Sequence, residues 1–86
     1  MKQVRCNFSG SVQGVGFRYT SERLARSYGI NGWVKNLPDG GVELVAQGDE
    51  QNIELYLSAL KKEFKINGAS CSDQPIEQFG GFEVRY

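Results

Sequence analysis

The sequence predicts an α+β fold in which an antiparallel sheet carries two helices on one face. Three observations predict it. A segment near the start of the chain alternates apolar and polar residues, as a half-buried strand does. Two later segments repeat apolar residues at helical spacing. Between those two, a glycine-rich turn joins two further strand-like segments. The element order is therefore β-α-β-β-α-β, followed by a short C-terminal strand.

The first strand is predicted over residues 2–9, because alternate positions there are apolar. A glycine-rich connection follows at residues 10–16. The first helix is predicted over residues 18–28, and Gly29 just beyond it is suited to end a helix. The residues at helical spacing in this segment are Ser21, Leu24, Ala25 and Tyr28.

The next two strands form a hairpin. They are predicted over residues 30–37 and 42–47, and the turn between them, Pro38-Asp39-Gly40-Gly41, has strong turn chemistry. A second helix follows, with Asp49 in position to cap its N-terminus. One apolar stripe lines this helix: Ile53, Tyr56, Leu57, Leu60 and Phe64.

The pattern weakens from Ile66 onward. We place a strand at residues 69–75 and a short last strand at residues 82–86. Two right-handed crossovers in this order give the ferredoxin-like arrangement, an antiparallel sheet with both helices on the same face. Because 86 residues are few for one core, we predict a single domain over residues 1–86.

The charge balance bears on the partners of the chain. Lysine plus arginine equals aspartate plus glutamate, ten of each, so the formal net charge is zero. Such a chain has no general field to attract nucleic acid or an anionic membrane, and we expect neither as a partner. No apolar run approaches the roughly 20 residues that span a bilayer, and residues 1–5 lack the apolar stretch of a secretion signal. We therefore expect a cytoplasmic location.

The chain contains no histidine, which removes the commonest general base and the commonest metal ligand. Its two cysteines, Cys6 and Cys71, have no neighbours at metal-ligand spacing. We predict no metal and no other cofactor, so an enzyme built from this chain has to work by positioning and electrostatics. In the cytoplasm two reduced, buried thiols are favoured over a disulfide, which stays open as an alternative.

The glycine-rich loop, residues 10–18 with the sequence GSVQGVGFR, is the first candidate site. Its three glycines allow positive φ and let backbone N–H groups turn inward as an anion nest, beside the positive end of the following helix. Arg18 opens that helix and can bind a phosphate bidentately. The alternative is an ordinary strand-to-helix connection with a solvated arginine. The loop lacks the Gly-Lys-Ser/Thr ending of nucleoside triphosphate loops and the glycine spacing of dinucleotide sites.

The second candidate is Asn36, near the end of the second strand and beside the hairpin turn. An asparagine there is either an ordinary turn former or a neutral amide that holds a water molecule through both donor and acceptor contacts. Trp33, three residues earlier, is expected to be packing surface.

Taken together, the two segments resemble the signatures of the acylphosphatase family, and the resemblance extends along the whole chain. The residues that match the first signature are Gly10, Val12, Gln13, Gly14, Val15, Phe17 and Arg18. Those that match the second are Gly32, Trp33, Val34, Lys35, Asn36, Gly40, Val42 and Gly48. The C-terminal segment, residues 82–86, also resembles that of the family.

The resemblance implies a metal-independent hydrolase that converts acyl phosphates to a carboxylate and inorganic phosphate. Arg18 and Asn36 are the implied catalytic residues: Arg18 binds the phosphoryl group and Asn36 orients the attacking water. The implied backbone amides on the phosphate are those of Gln13, Gly14, Val15, Gly16, Phe17 and Arg18. The terminal carboxylate of Tyr86 is implied to pair with Arg18. We expect a monomer, because the fold does not force dimerisation.

The alternative to an enzyme is a non-catalytic ferredoxin-like module that senses phosphate or binds another ligand. An RNA-binding module of this topology exposes aromatic residues on its central strands within a basic surface. The first strand instead presents Arg5 and Asn7 on that face and the net charge is zero, so RNA binding is disfavoured. A phosphate sensor stays open, since its loop would have the same sequence features.

Overall fold

Seven elements follow one another in the predicted order. The computed structural model describes residues 1–10, 12–13 and 15–85, and the side chain of Val15 is outside that description as well. The elements are β1 (Lys2–Gly10), α1 (Val15–Tyr28), β2 (Asn31–Asn36), β3 (Val42–Gly48), α2 (Glu50–Glu63), β4 (Ile66–Gln74) and β5 (Phe82–Arg85).

The strands form one five-stranded sheet in the order β4-β1-β3-β2-β5. The first four strands pair antiparallel, as predicted, whereas β5 pairs parallel to β2, which makes the sheet mixed. The direction of β5 follows from the topology. Because β1 and β2 both run antiparallel to β3, and β4 runs antiparallel to β1, a strand that starts where β4 ends has to run alongside β2 in the same direction.

The core lies between one face of the sheet and the two helices. The apolar face of β1, with Val4, Cys6 and Phe8, is buried there as the alternation predicts. Side chains of both helices complete the core: Phe17, Leu24, Ala25, Ile53, Tyr56 and Leu60. The Tyr56 hydroxyl donates to the Ser21 carbonyl at 3.0 Å, so this buried phenol has a hydrogen-bond partner for its polar atom. Burial also raises the pKa of Tyr56.

A crossing segment, residues 75–81, covers part of the opposite face on its way from β4 to β5. Two buried glutamines hold it: Gln3 donates to the Glu77 carboxylate at 2.9 Å, and Gln47 donates to the Glu77 carbonyl at 2.7 Å. The Glu77 N–H donates to Gln3 Oε1 at 3.1 Å. This face is therefore closed at one end by a polar network whose members bond to one another.

The edge strand β4 differs from the prediction in extent and in its cysteine. It begins at Ile66, three residues earlier than predicted, and none of its residues is buried. Cys71 lies directly opposite Cys6 in the β1–β4 register and forms a disulfide with it. The interpretation as two reduced, buried thiols is therefore wrong. Opposite residues in an antiparallel pair share a face and lie close together, and the Cα atoms of Cys6 and Cys71 are 4.1 Å apart.

Two predicted helix termini also differ. α1 begins at Val15, three residues before the predicted start, because docking of Phe17 into the core overrides the weak helix propensity of a valine and a glycine. Asp49 occupies the N-cap position of α2, but its side chain makes no capping hydrogen bond; its carbonyl accepts the Ile53 N–H at 2.9 Å. No helix in the described ranges is both long and apolar enough to cross a membrane.

Candidate active site

The glycine-rich loop is anchored where it leaves β1. Gly10 has a φ of +115°, and a Cβ at this position would lie 2.7 Å from the Asn67 N and 2.8 Å from the Lys65 O. A side chain there would collide with the backbone at the start of β4, so this glycine is required by packing as well as by φ. Two residues later, Val12 is fully buried. The first part of the loop is therefore held against both β4 and the core.

The loop is anchored again where it enters α1. Phe17 is almost fully buried and packs edge-to-face between Phe8 of β1 and Phe64 at the end of α2, with ring centroids 6.2 and 4.8 Å apart. Such contacts fix the position of the first helical turn. Gly16 lies within this turn and does not take the positive φ that the sequence analysis allowed for it.

Gln13 ties the loop to the β2–β3 hairpin. Its side-chain amide donates to the Leu37 carbonyl at 2.6 Å and to the Gly41 carbonyl at 2.9 Å. These carbonyls flank the hairpin turn, and Leu37 directly follows Asn36. This tether is an addition to the backbone role that the sequence predicts for Gln13. The available signal was a side chain with two N–H donors in a segment of otherwise small and apolar residues.

Arg18 is the fourth residue of α1 and is half-buried. Because the helix begins at Val15, the N–H groups of Val15, Gly16 and Phe17 belong to its first turn. Such N–H groups have no carbonyl partner within a helix, and the helix dipole adds positive potential beside them. The structure thus places the arginine directly after a row of backbone donors. Gly14, the remaining glycine with a predicted amide role, and Tyr86 lie outside the described residues.

Asn36 is the last residue of β2 and pairs with Val42 of β3. Its side chain is on the same face as that of the buried Val34, two residues earlier, which is the face covered by the helices. The Asn36 Oδ1 atom is buried, and no donor among the described residues reaches it within hydrogen-bond distance. A buried acceptor of this kind is a place where water or a ligand donates.

These groups lie at one end of the sheet. β1 and β2 run in the same direction, because each is antiparallel to β3, so their C-terminal ends share an edge. The loop leaves β1 at that edge, Asn36 ends β2 there, and the Gln13 bonds join the two. α1 begins at Val15, shortly after β1 ends at Gly10, which keeps the helical turn of Arg18 near the same end.

Metal-ligating side chains are not gathered at this end or elsewhere in the described ranges. No group of three or more histidine, cysteine, aspartate or glutamate residues there is placed to hold a metal ion.

Comparison with known proteins gives one family. The acylphosphatase family model matches residues 4–84. An acylphosphatase from Archaeoglobus fulgidus is 47% identical over 81 residues, which cover 91% of each chain. An acylphosphatase from Lactobacillus gasseri is 46% identical over the full length of both chains.

Solved structures agree with this result. The crystal structure of acylphosphatase from Bacillus subtilis superposes with a TM-score of 0.93 at 37% identity, and each chain is covered completely. These relatives are enzymes, so the alternative of a non-catalytic module is not favoured. The chain belongs to the acylphosphatase family, whose members hydrolyse the carboxyl–phosphate anhydride of acyl phosphates.

Proposed function

We propose a division of roles for this hydrolysis in which Arg18 and the glycine-rich loop bind the phosphoryl group while Asn36 orients the attacking water. The oxygen of that water attacks phosphorus, and the bond between phosphorus and the acyl oxygen breaks. A carboxylate and inorganic phosphate leave. The observation that carries the proposal is the Oδ1 of Asn36, which is buried and has no donor among the described residues, at the end of the sheet where Gln13 holds the loop.

The support for the phosphate role is electrostatic. The phosphoryl oxygens are anionic, and phosphoryl transfer is accelerated by donors fixed around them in advance. The N–H groups of Gln13, Gly14, Val15, Gly16, Phe17 and Arg18 are the proposed donors. The Arg18 guanidinium adds a full positive charge and can bind two oxygens at once.

The support for the role of Asn36 is its hydrogen-bonding chemistry. A carboxamide oxygen accepts a hydrogen bond from water while leaving an oxygen lone pair of that water free to attack. Its position on the helix-facing side of β2 puts it on the same side of the sheet as Arg18. Holding a water molecule in line with the breaking bond lowers the entropic part of the barrier.

The reaction does not need a strong acid or base from the protein. A carboxylate is a good leaving group because its conjugate acid has a pKa of about 4, so it departs without being protonated. A phosphoryl oxygen of the substrate can take the proton that the water loses. This proposal fits a chain that contains no histidine.

The substitution Asn36→Ala tests the proposal, with Asn31→Ala, at the other end of the same strand, as the matched control. We expect Asn36→Ala to lower turnover of acetyl or benzoyl phosphate by about 10²–10⁴, while inhibition by inorganic phosphate stays unchanged. The control is expected to retain turnover. Loss of phosphate affinity in Asn36→Ala, with turnover at saturation unchanged, would show that another residue orients the attacking water.

We also propose that residues 1–86 act as one domain, as a cytoplasmic monomer without a nucleic-acid or membrane partner. The proposal is supported by a single sheet that includes every strand of the described chain and by a formal net charge of zero. Light scattering during gel filtration is expected to give the mass of one chain at all concentrations tested. A mass that rises with concentration would contradict the monomer.

A further inference from the structure

The two cysteines of the disulfide differ in burial. Cys6 has no solvent exposure and belongs to the core cluster, whereas Cys71 is exposed. The contrast extends along the strand pair. Residues of β4 on the helix-facing side are exposed, although their partners on β1 are buried. These opposite pairs are Ala69 with Phe8, Cys71 with Cys6 and Asp73 with Val4. The helices cover β1 and leave β4 open.

Exchange between a thiol and a disulfide requires direct access to one sulfur atom. The attacking thiolate approaches along the line of the S–S bond and displaces the sulfur on the far side. An attack on Cys6 would have to pass through the core. An attack on Cys71 comes from solvent and pushes the leaving sulfur toward the core. The burial of the two residues therefore selects one of the two possible reactions.

We propose that Cys71 is a thiol-exchange site for low-molecular-weight thiols of the glutathione class, with Cys6 as the buried leaving sulfur. The sulfur of the attacking thiolate forms a bond to Cys71 Sγ, and the Cys6–Cys71 bond breaks. Cys6 leaves with the electron pair and takes up a proton. One external thiol plus the protein disulfide thus gives one mixed disulfide on Cys71 plus one thiol at Cys6, with no net oxidation.

The mixed disulfide should persist long enough to be isolated. Its reversal requires the Cys6 sulfur to return as a thiolate. Apolar surroundings disfavour the charged form, which slows this reversal and also slows the exchange itself, because the same thiolate is the leaving group. The backbone of β4 pairs with that of β1 on both sides of Cys71. Exchange therefore modifies an accessible edge of the fold and leaves the sheet order intact. The inference does not depend on the roles proposed for Arg18 and Asn36.

Peptide mapping of the oxidised full chain tests the site. The chain is incubated with reduced glutathione, quenched with acid at short times, and alkylated in denaturant. We expect glutathione on the peptide that contains Cys71 and the alkyl group on the peptide that contains Cys6. The control is the same chain unfolded in urea, where glutathione should be found on both cysteines. Glutathione on Cys6 in the folded chain, or exchange that occurs only in the unfolded one, would overturn the proposal.

Two single-cysteine variants give an independent measurement. The thiol left in Cys6→Ala is the exposed Cys71, and the thiol left in Cys71→Ala is the buried Cys6. With oxidised glutathione, we expect the folded Cys6→Ala chain to react faster than the folded Cys71→Ala chain by about tenfold or more. Equal rates or the reverse order would overturn the proposal. If the cavity in Cys6→Ala prevents folding, the peptide map of the unsubstituted chain still tests the proposal.

Discussion

The two neighbours of β1 are held in place by different means. On one side, β3 is buried at every position except Glu43, because helices cover one of its faces and the crossing segment covers part of the other. On the other side, β4 has no buried residue and is joined to β1 by backbone pairing and by the disulfide. Packing therefore secures the first of these strands, and a covalent bond reinforces the second.

The difference separates the chemistry of the molecule from part of its stability. Gln13 ties the glycine-rich loop to the β2–β3 hairpin, and both proposed catalytic side chains belong to elements on that side of β1. The disulfide lies on the other side, where none of them is found. Changes on the β3 side should affect turnover first, and changes on the β4 side should affect the free energy of unfolding first.

The largest effect is expected for Arg18→Ala, which removes the proposed phosphate charge on the β3 side. We expect turnover of acetyl phosphate to fall on the order of 10³-fold or more, as in other phosphoryl-transfer sites that lose an arginine, with the melting temperature nearly unchanged. Arg23→Ala is the matched control, because Arg23 is exposed on the same helix and its ion pair with Glu63 lies on the surface. A loss of less than tenfold in Arg18→Ala would contradict the assignment.

Reduction of the disulfide should lower stability and leave turnover unchanged. It opens a link between residues 65 positions apart, and the loop-closure model assigns a link of this length about 4 kcal/mol of stability. We expect urea unfolding with a reducing agent to show a loss of about that size, while turnover well below the unfolding midpoint stays the same. A fall in turnover in parallel with stability would show that β4 and the site are coupled.

Gln13→Met tests the tether that keeps the site on the β3 side. Methionine has a similar length and cannot donate to Leu37 and Gly41. We expect turnover to fall about tenfold through misplacement of the loop relative to Asn36, with a stability loss of about 1 kcal/mol, since Gln13 itself is exposed. Gln51→Met, at an exposed position of α2, is the control. Unchanged turnover in Gln13→Met would mean that the loop holds its shape without the hairpin.

The smallest effect is expected for Tyr56→Phe, which tests the packed core beneath both sides. Loss of the bond to Ser21 should cost about 1 kcal/mol. The raised pKa of Tyr56 adds a pH dependence. Its contribution is fully present below the ordinary phenol pKa of about 10 and is lost as the pH rises toward the higher value of the folded state. Above pH 10, the free energy of unfolding should therefore fall less steeply with pH for Tyr56→Phe than for the unchanged chain. Equal slopes would contradict this.

Sequence patterns predicted the β3 side well. The alternation in β1 is strong because one face of that strand packs on the core, and the hairpin turn has the residues that such turns require. The element order and the position of Asn36 at a strand end followed from these patterns. The start of α1 did not, because Val15 and Gly16 are weak helix formers, and Phe17, docked in the core, fixes the first turn.

The β4 side was predicted poorly for a physical reason. Ala69, Ser70, Cys71 and Ser72 are small or polar and are exposed on both faces of the strand, so no alternation marks which face points inward. Without that pattern the register with β1 is not determined, and the register decides whether Cys6 faces Cys71. The side-chain hydrogen bonds of Gln13 join positions 24 and 28 residues apart. Local sequence patterns do not predict contacts between such distant positions.

The sheet order also constrains how the chain can fold during synthesis. Among the strands described, β1 leaves the ribosome before the others, yet both of its partners come later: β3 begins at Val42 and β4 at Ile66. A nascent chain that ends before residue 42 has β1 without a partner and its apolar face uncovered, and the carbonyl of Gly41 is not yet fixed in a hairpin to receive Gln13. Closing such distant pairs is slow compared with local contacts. The proposed phosphate site should therefore form late and cooperatively, after β3 has been made.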